Sequence, residues 1–525
     1  MQPLSTLSAN QQRLDIHRRQ SLTLIAMCLA LAVAALDDTV VNLALPILQT
    51  DLALSVEGLQ WVLNAYFLPI ACLVMSAGML ADVYGRRRIF LAGLVVFILG
   101  SVLAGLAANG QILIAARLLQ GVGAAALLPG SLAILSDAYP NQKERTKAIG
   151  VWSGVSGLAL IVGPVLGGVL VDTLGWRSIF FLNVPLGMVT LWLTVRAVPT
   201  RELQQHQISP EQLDWPGMLL SAVALASFIT FLMGGTVSGL SGWMLGLVSL
   251  GSMITFFKVE SVSAWPLLPL RLFSQPAIAT AFIANALLFF MLISLMFLFS
   301  LFLQQIQGYS ATDAGLRFLP LNATFIFASI VSGYFLARLG WRHTITAGFL
   351  LAGVAIISFS QVQAETPFSH LVFQLVLVGF GAGFTLSPLT AFGMSSLPIH
   401  QSGLAAALMN TSTRVGGALG IAVQGALFTH ALGGRLAKVL AEAGLGTDVK
   451  QAILAEAIAH GSTRPTQLMS SFEENGAVLS LNQLEAAIQQ SFMAGMHSVI
   501  WTGAIALFIA AGLSWRYVRP PRQPD

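Results

Sequence analysis

The sequence predicts an all-α polytopic membrane protein, on three observations. Hydrophobic residues make up 56% of the 525 positions and charged residues only 9%, where a soluble domain carries roughly 25% charged residues. So few charges cannot cover a water-facing surface, and most of the chain must meet lipid. Apolar runs recur from Leu22 to Ser514, many close to the ~20 residues that a spanning helix needs. Alternating segments of about ten residues, the mark of a membrane β-barrel, do not occur.

Hydropathy divides the chain into fourteen spans. Six lie between about Leu22 and Val198, two between Pro216 and Glu260, and six between Pro276 and Trp515. The organisation that follows is a polar segment 1–20, a first six-helix half over 21–198, a linker with two inserted central helices over 199–275, a second six-helix half over 276–517, and a tail over 518–525. The apolar run after Gln20 is too long for a signal peptide and ends in no small-residue cleavage site, so it reads as an uncleaved first span. With the N-terminus in the cytoplasm, eighteen of the 26 Lys and Arg fall in cytoplasmic segments and six on the opposite side, while Arg117 and Arg414 lie within spans. That bias places both termini in the cytoplasm. It also explains the net charge of +4 without a nucleic-acid partner. Segment 431–497 breaks the rhythm as a long extracytoplasmic loop. Its apolar-periodic stretch Val449–Ile458, after a Thr447/Asp448 cap, predicts short amphipathic helices on the outer face.

The first span carries two adjacent acids in the run Ala34-Ala-Leu36-Asp37-Asp38-Thr39-Val-Val41-Asn42-Leu-Ala44-Leu45-Pro46. Neighbours on a helix point about 100° apart, so the two carboxylates meet different surroundings. Asp38 shares a face with Asn42, four residues on. Span 4 holds Arg117. A charge within a span costs ~2.5–3.5 kcal/mol on insertion scales and is usually paired and functional. The loop after span 2 reads Gly78-Met-Leu-Ala-Asp82-Val-Tyr-Gly85-Arg86-Arg87-Arg88. Its glycines allow a tight turn, and Asp82 can face a helix N-terminus or pair with an Arg to latch one conformation. A weaker copy, GYFLARLGWR from Gly333 to Arg342, has Ala337 where Asp82 stands. Such internal repeats are a signature of transporter folds, with substrate sites near the midplane. Span 5 strings Gly157, Gly163, Pro164, Gly167 and Gly168 along a groove where another helix can approach closely.

These segments resemble the major facilitator superfamily. Gly78, Asp82, Gly85, Arg86 and Arg87 match its signature loop. Arg117-Leu-Leu-Gln120-Gly121 resembles its embedded arginine segment, associated with proton transfer. Gly163-Pro164-Val-Leu-Gly167-Gly168 resembles its antiporter motif. The opening run matches the pattern LDxTxVNxALP of the fourteen-helix drug/proton antiporters, the EmrB/QacA group, as do Trp61 to Tyr66, Gly175 to Gly187, and Asn410 to Gly420. One departure is Thr413-Arg414, where the group's Arg-Gln pair sits one position away.

The resemblance implies a major facilitator fold and a proton-coupled antiporter that exports lipophilic, often cationic compounds across the bacterial cytoplasmic membrane. The alternative is an exporter dedicated to one metabolite, antibiotic or siderophore. The proton gradient would be the energy source, with no cofactor. The partners would be the substrate, protons and the bilayer, for a monomer, with a periplasmic adaptor as a further partner in some relatives. Asp37, the matching acid, is expected to face the cavity and carry the proton, and Asp38 to pair with Arg117. The reverse assignment stays open, because sequence does not give the helix rotation. Asn42, Trp61, Tyr66, Phe289, Phe290 and Met296 are candidates for the substrate cavity. An enzyme is disfavoured: the eight His are scattered, with no metal or nucleophile spacing. Cys28 and Cys72 lie in spans and make no disulfide or metal framework.

Overall fold

The computed structural model describes residues 3–199, 214–233, 242–266, 268, 270–397, 402–442 and 481–519. Among these residues every regular element is helical. A backbone in lipid must satisfy its hydrogen bonds within the segment, and these apolar runs have no other regular solution. The first half comprises α1 (Pro3–Asp51), α2 (Val56–Tyr84), α3 (Arg86–Gly105), α4 (Gly110–Ala138), α5 (Gln142–Leu174) and α6 (Arg177–Ala197). The inserted pair is α7 (Trp215–Leu232) and α8 (Gly242–Val262), followed by the short α9 (Leu270–Phe273). The second half comprises α10 (Pro276–Leu301), α11 (Ala311–Arg317), α12 (Leu319–Ser358), α13 (Phe368–Ser395), α14 (Ser402–Glu442) and α15 (Leu481–Tyr517).

Local chemistry sets the helix ends. Ser55 caps α2 by accepting from Gly58 N at 3.0 Å, and Asn109 caps α4 by accepting from Ile112 N at 2.9 Å. Each relieves amide groups that the first helical turn leaves unpaired.

Among the described residues, thirteen helices are long and apolar enough to cross a membrane. One of them, covering Ala311–Gln361, is two spans. Gly340 interrupts α12 with φ 76° and ψ 169°. Gln307 Nε2, just before α11, donates to Thr366 O at 2.7 Å, just beyond the end of α12. Both ends of the segment therefore lie on one side, and α12 folds back at Gly340. The fourteen expected spans are present. Gly85, which joins α2 to α3 at φ 100°, occupies the corresponding place in the other copy of the repeat. Only glycine adopts such a backbone readily, so the repeat glimpsed in sequence is a repeated helical hairpin.

The helices extend past the expected boundaries. α1 begins within the polar segment 1–20. α14 runs to Glu442 and α15 starts at Leu481, both inside the expected loop 431–497. Thr447, Asp448 and the stretch Val449–Ile458 lie outside the described residues.

α7 and α8 pack on each other, and α7 touches α2 and α14. The two halves meet along α2 with α14, α5 with α11, and α1 with α10. On the side away from the termini, the distal side, Asp172 of α5 accepts from Ala311 N at 3.2 Å and Thr312 N at 2.8 Å at the start of α11. Ser300 Oγ donates to Asn42 O at 2.7 Å, and Gln305 Nε2 to Gln49 Oε1 at 2.7 Å. The termini side is different. Positions 150, 154, 157, 161, 164 and 168 form one stripe of α5 at helical spacing. Pro164 and Gly168 are buried against α11, and a Cβ on Gly157 would touch Ile326 at 3.6 Å. A Cβ on Gly154 or Gly150 would meet nothing within 4 Å, and both are exposed. The halves are closed distally and diverge towards the termini.

Candidate functional site

α1 places Asp37 inside the first half, where it is 3% exposed. Its Oδ2 pairs with Arg117 of α4. Its Oδ1 accepts from Asn183 of α6 at 2.8 Å and from Gln120 of α4 at 3.3 Å. Gln120 also donates to Ser101 of α3 at 2.8 Å and accepts from Arg117 at 2.9 Å. The Arg117 guanidinium donates through Nε to Val62 O at 3.2 Å and lies 4.3 Å from the centre of the Tyr66 ring. Five helices, α1, α2, α3, α4 and α6, thus converge on one ion pair. Both carboxylate oxygens are engaged, as burial of an ion pair requires.

One residue on, α1 turns Asp38 towards the second half. Its Oδ2 accepts from Arg414 of α14 at 2.7 Å, with side-chain exposures of 11% for Arg414 and 19% for Asp38. This pair spans the two halves. It is incompletely satisfied: Asp38 Oδ1 and Arg414 Nε are buried and have no hydrogen-bond partner, and neither has Asn42 Oδ1. Asn410, one turn from Arg414 on α14, is exposed. An exposed Asn well inside a span faces a water-filled cavity rather than lipid, so Arg414 sits at the closed end of the cleft.

The pairing expected from sequence is therefore reversed. Arg117 holds Asp37, not Asp38, because the 100° between neighbours aims Asp37 into the first half and Asp38 at the seam. Arg414, displaced from the family pattern, is the partner of Asp38. Gln120 and Asn183 were visible only as polar residues inside apolar runs, in RLLQGVG and GWRSIFFLNVPLG. Nothing local in the sequence linked Arg414 to Asp38, 376 positions away.

The signature loop ties helices of the first half together. Arg86 Nε donates to Asp82 at 3.0 Å, its NH1 donates to Asp137 at the end of α4 at 2.9 Å, and Arg87 donates to Val195 O of α6 at 2.9 Å. Asp137 was not singled out from sequence. Gly78 is half-buried with open space where a Cβ would stand.

The antiporter motif packs two partners at once. A Cβ on Gly163 or Gly167 would overlap Thr39 or Val40 of α1, and one on Gly168 would overlap the Ala311 backbone of α11. The groove expected for one helix seats α1 and the first helix of the second half's hairpin.

The cavity candidates divide. Asn42 flanks the ion pair and donates to Asp38 O at 3.1 Å. Phe289 and Phe290 are half-buried on α10, and Trp61 is half-buried near the distal end of α2. Tyr66 is fully buried, and Met296 is 8% exposed. These two do not line open space, because the Tyr66 ring is covered by Arg117 and Met296 packs in the core.

Two helical halves, sealed on one side, cleft on the other and joined at midplane by an ion pair, define a multi-pass membrane transporter. The chain belongs to the major facilitator superfamily, whose model, described as "Major Facilitator Superfamily", matches residues 27–421. It is 33% identical over 512 residues to the multidrug resistance protein Stp of Mycobacterium tuberculosis, covering 95% of this chain and 93% of that one. It is 30% identical over 520 residues to the drug efflux pump JefA of the same organism, covering 96% and 99%. The tetracenomycin C resistance and export protein of Streptomyces glaucescens is 29% identical over 497 residues, covering 93% and 90%. Among solved structures, a bacterial homologue of the human lysosomal transporter Spinster, in an inward-facing and unoccupied conformation, superimposes with TM-score 0.66. It is 19% identical, over 96% of this chain and 99% of that one.

Proposed function

We propose that this protein is a proton-coupled antiporter of the bacterial cytoplasmic membrane that exports lipophilic, often cationic drug-like compounds. The observation that supports it most is the Asp38–Arg414 pair at the closed end of the cleft, with one carboxylate oxygen unpartnered. Asp37 offers no open position for an arriving proton: both its oxygens accept hydrogen bonds within the first half. Asp38 has such a position. The proton-exchanging acid is accordingly Asp38, and the Asp37–Arg117 network is the anchor that positions it.

A proton and the basic group of a substrate compete for the same Asp38 oxygen. Binding of either weakens the tie to Arg414 across the seam, and rocking of the halves then exposes the site on the other side. The distribution of Lys and Arg supports both termini, and hence the cleft, on the cytoplasmic side. The protein works as a monomer without a cofactor, and an adaptor protein is compatible with this reading.

The test uses everted membrane vesicles, a panel of dyes and quaternary ammonium compounds, and a protonophore. The wild type is expected to accumulate several compounds only while the pH gradient stands. Asp38→Asn is expected to abolish gradient-driven exchange while the protein remains folded; full coupled transport by that variant would sink the assignment. The relative named for tetracenomycin C favours the alternative, a dedicated exporter, and transport of a single compound from the panel would select it.

A further inference from the structure

The charges around Asp38 balance. The groups acting on it are Arg414, Asp37 and Arg117, with the Tyr66 phenol and Asn42 beside them. Asp37 and Arg117 satisfy each other within the first half. What remains towards the cleft is one carboxylate and one guanidinium, each holding the other through a single 2.7 Å hydrogen bond. Each keeps a buried polar atom without a partner, Asp38 Oδ1 and Arg414 Nε.

Consider what can enter such a site. A purely cationic compound that takes Asp38 strips Arg414 of its counterion in a low dielectric. A purely anionic compound that takes Arg414 does the same to Asp38. Leaving one member of a mostly buried pair alone carries a penalty, which lowers the affinity for a simple cation without barring its export. A molecule with both a basic nitrogen and an acidic oxygen replaces each partner with its own. The guanidinium fork suits a carboxylate or similar acid, and the carboxylate accepts from the substrate's N–H. The exposed Asn410, one turn away on the same face of α14, marks the route of approach.

From this balance we propose that the Asp38–Arg414 pair selects amphoteric lipophiles, compounds that carry a basic and an acidic group on an apolar frame, by exchanging one ion pair for two. This rests on the export reading above and narrows its substrate class. It preserves exchange, because a proton on Asp38 removes the partner of the substrate's basic group. It also gives the displaced Arg414 a use: it is the residue that reads the acidic group.

The test compares three xanthene dyes on one ring system. They are the diamino dye with a free carboxylate (zwitterion), its methyl ester (cation), and the dihydroxy analogue with a free carboxylate (anion). Uptake is followed in everted vesicles under a pH gradient, and binding is followed by fluorescence polarisation on the purified protein. The wild type is expected to favour the zwitterion over both others by about tenfold or more, the ratio that 1.4 kcal/mol of discrimination gives. Arg414→Gln, which leaves Asp38 as a lone acid, is expected to reverse the preference towards the ester. If Arg414→Gln does not fold, the neutral double variant Asp38→Asn/Arg414→Gln is expected to bind the three dyes alike. Wild-type preference for the ester, an unchanged ratio in Arg414→Gln, or intact discrimination in the double variant overturns the proposal and leaves export standing. Absence of both binding and gradient-driven movement for all three dyes overturns the proposal and counts against export as well.

Discussion

Replacing Arg117 with Met tests whether the Asp37 network is an anchor. The change keeps the length of the side chain and removes its charge. Asp37 would keep its bonds to Asn183 and Gln120 but lose its counterion, in a pair whose side chains are each 1% exposed. Val62 O and Gln120 Oε1 would lose their donor, and the Tyr66 ring its cation. Breaking a buried pair by removing one partner costs about 3–5 kcal/mol, and the lost cation–π contact adds roughly 1 kcal/mol. At about 1.4 kcal/mol per factor of ten, the folded population relative to the unfolded falls by roughly two orders of magnitude or more. The assay is thermal unfolding of the purified protein in one detergent, run as a double-mutant cycle with Asp37→Leu. A neutral, apolar pair in place of a buried ion pair is commonly no less stable than the original. The double variant Asp37→Leu/Arg117→Met is therefore expected to recover most of the loss suffered by either single variant. Additive losses in the double variant would refute the coupling of these two residues. So would an Arg117→Met protein as stable as the wild type.

Three further outcomes follow from the geometry. Asp172→Ala removes two hydrogen bonds that tie α5 to the start of α11. Discounted for the exposure of Asp172, their loss is about 1 kcal/mol, and labelling of cysteines placed in the distal seam should rise about fivefold. Gly168→Ala forces the Ala311 backbone away and should raise distal labelling in the same way, whereas Gly154→Ala, which faces the open cleft, should not. Gly85→Ala places a side chain at φ 100°, a strain of about 1–3 kcal/mol, and should lower the unfolding temperature more than Arg86→Gln, whose pairs with Asp82 and Asp137 are partly exposed.

The features legible in the residues alone are those that depend on composition and short spacing. Fourteen apolar runs of spanning length must become helices, because lipid leaves their backbones no other partners. The glycines at 85 and 340 mark the two hairpins because a backbone with positive φ is written locally, in the residue that tolerates it. The stripe from Gly157 to Gly168 announced a close approach for the same reason. The two carboxylates and Arg117 stood out because charge is rare in a span. Tertiary structure decided which charges met. A rotation of 100° about the α1 axis separates Asp37, buried with Arg117, Gln120 and Asn183, from Asp38, turned across the seam to Arg414. Helix rotation is set by packing against six neighbours, of which only α2 is adjacent in sequence. A pair 376 residues apart exists only once both halves have closed on each other.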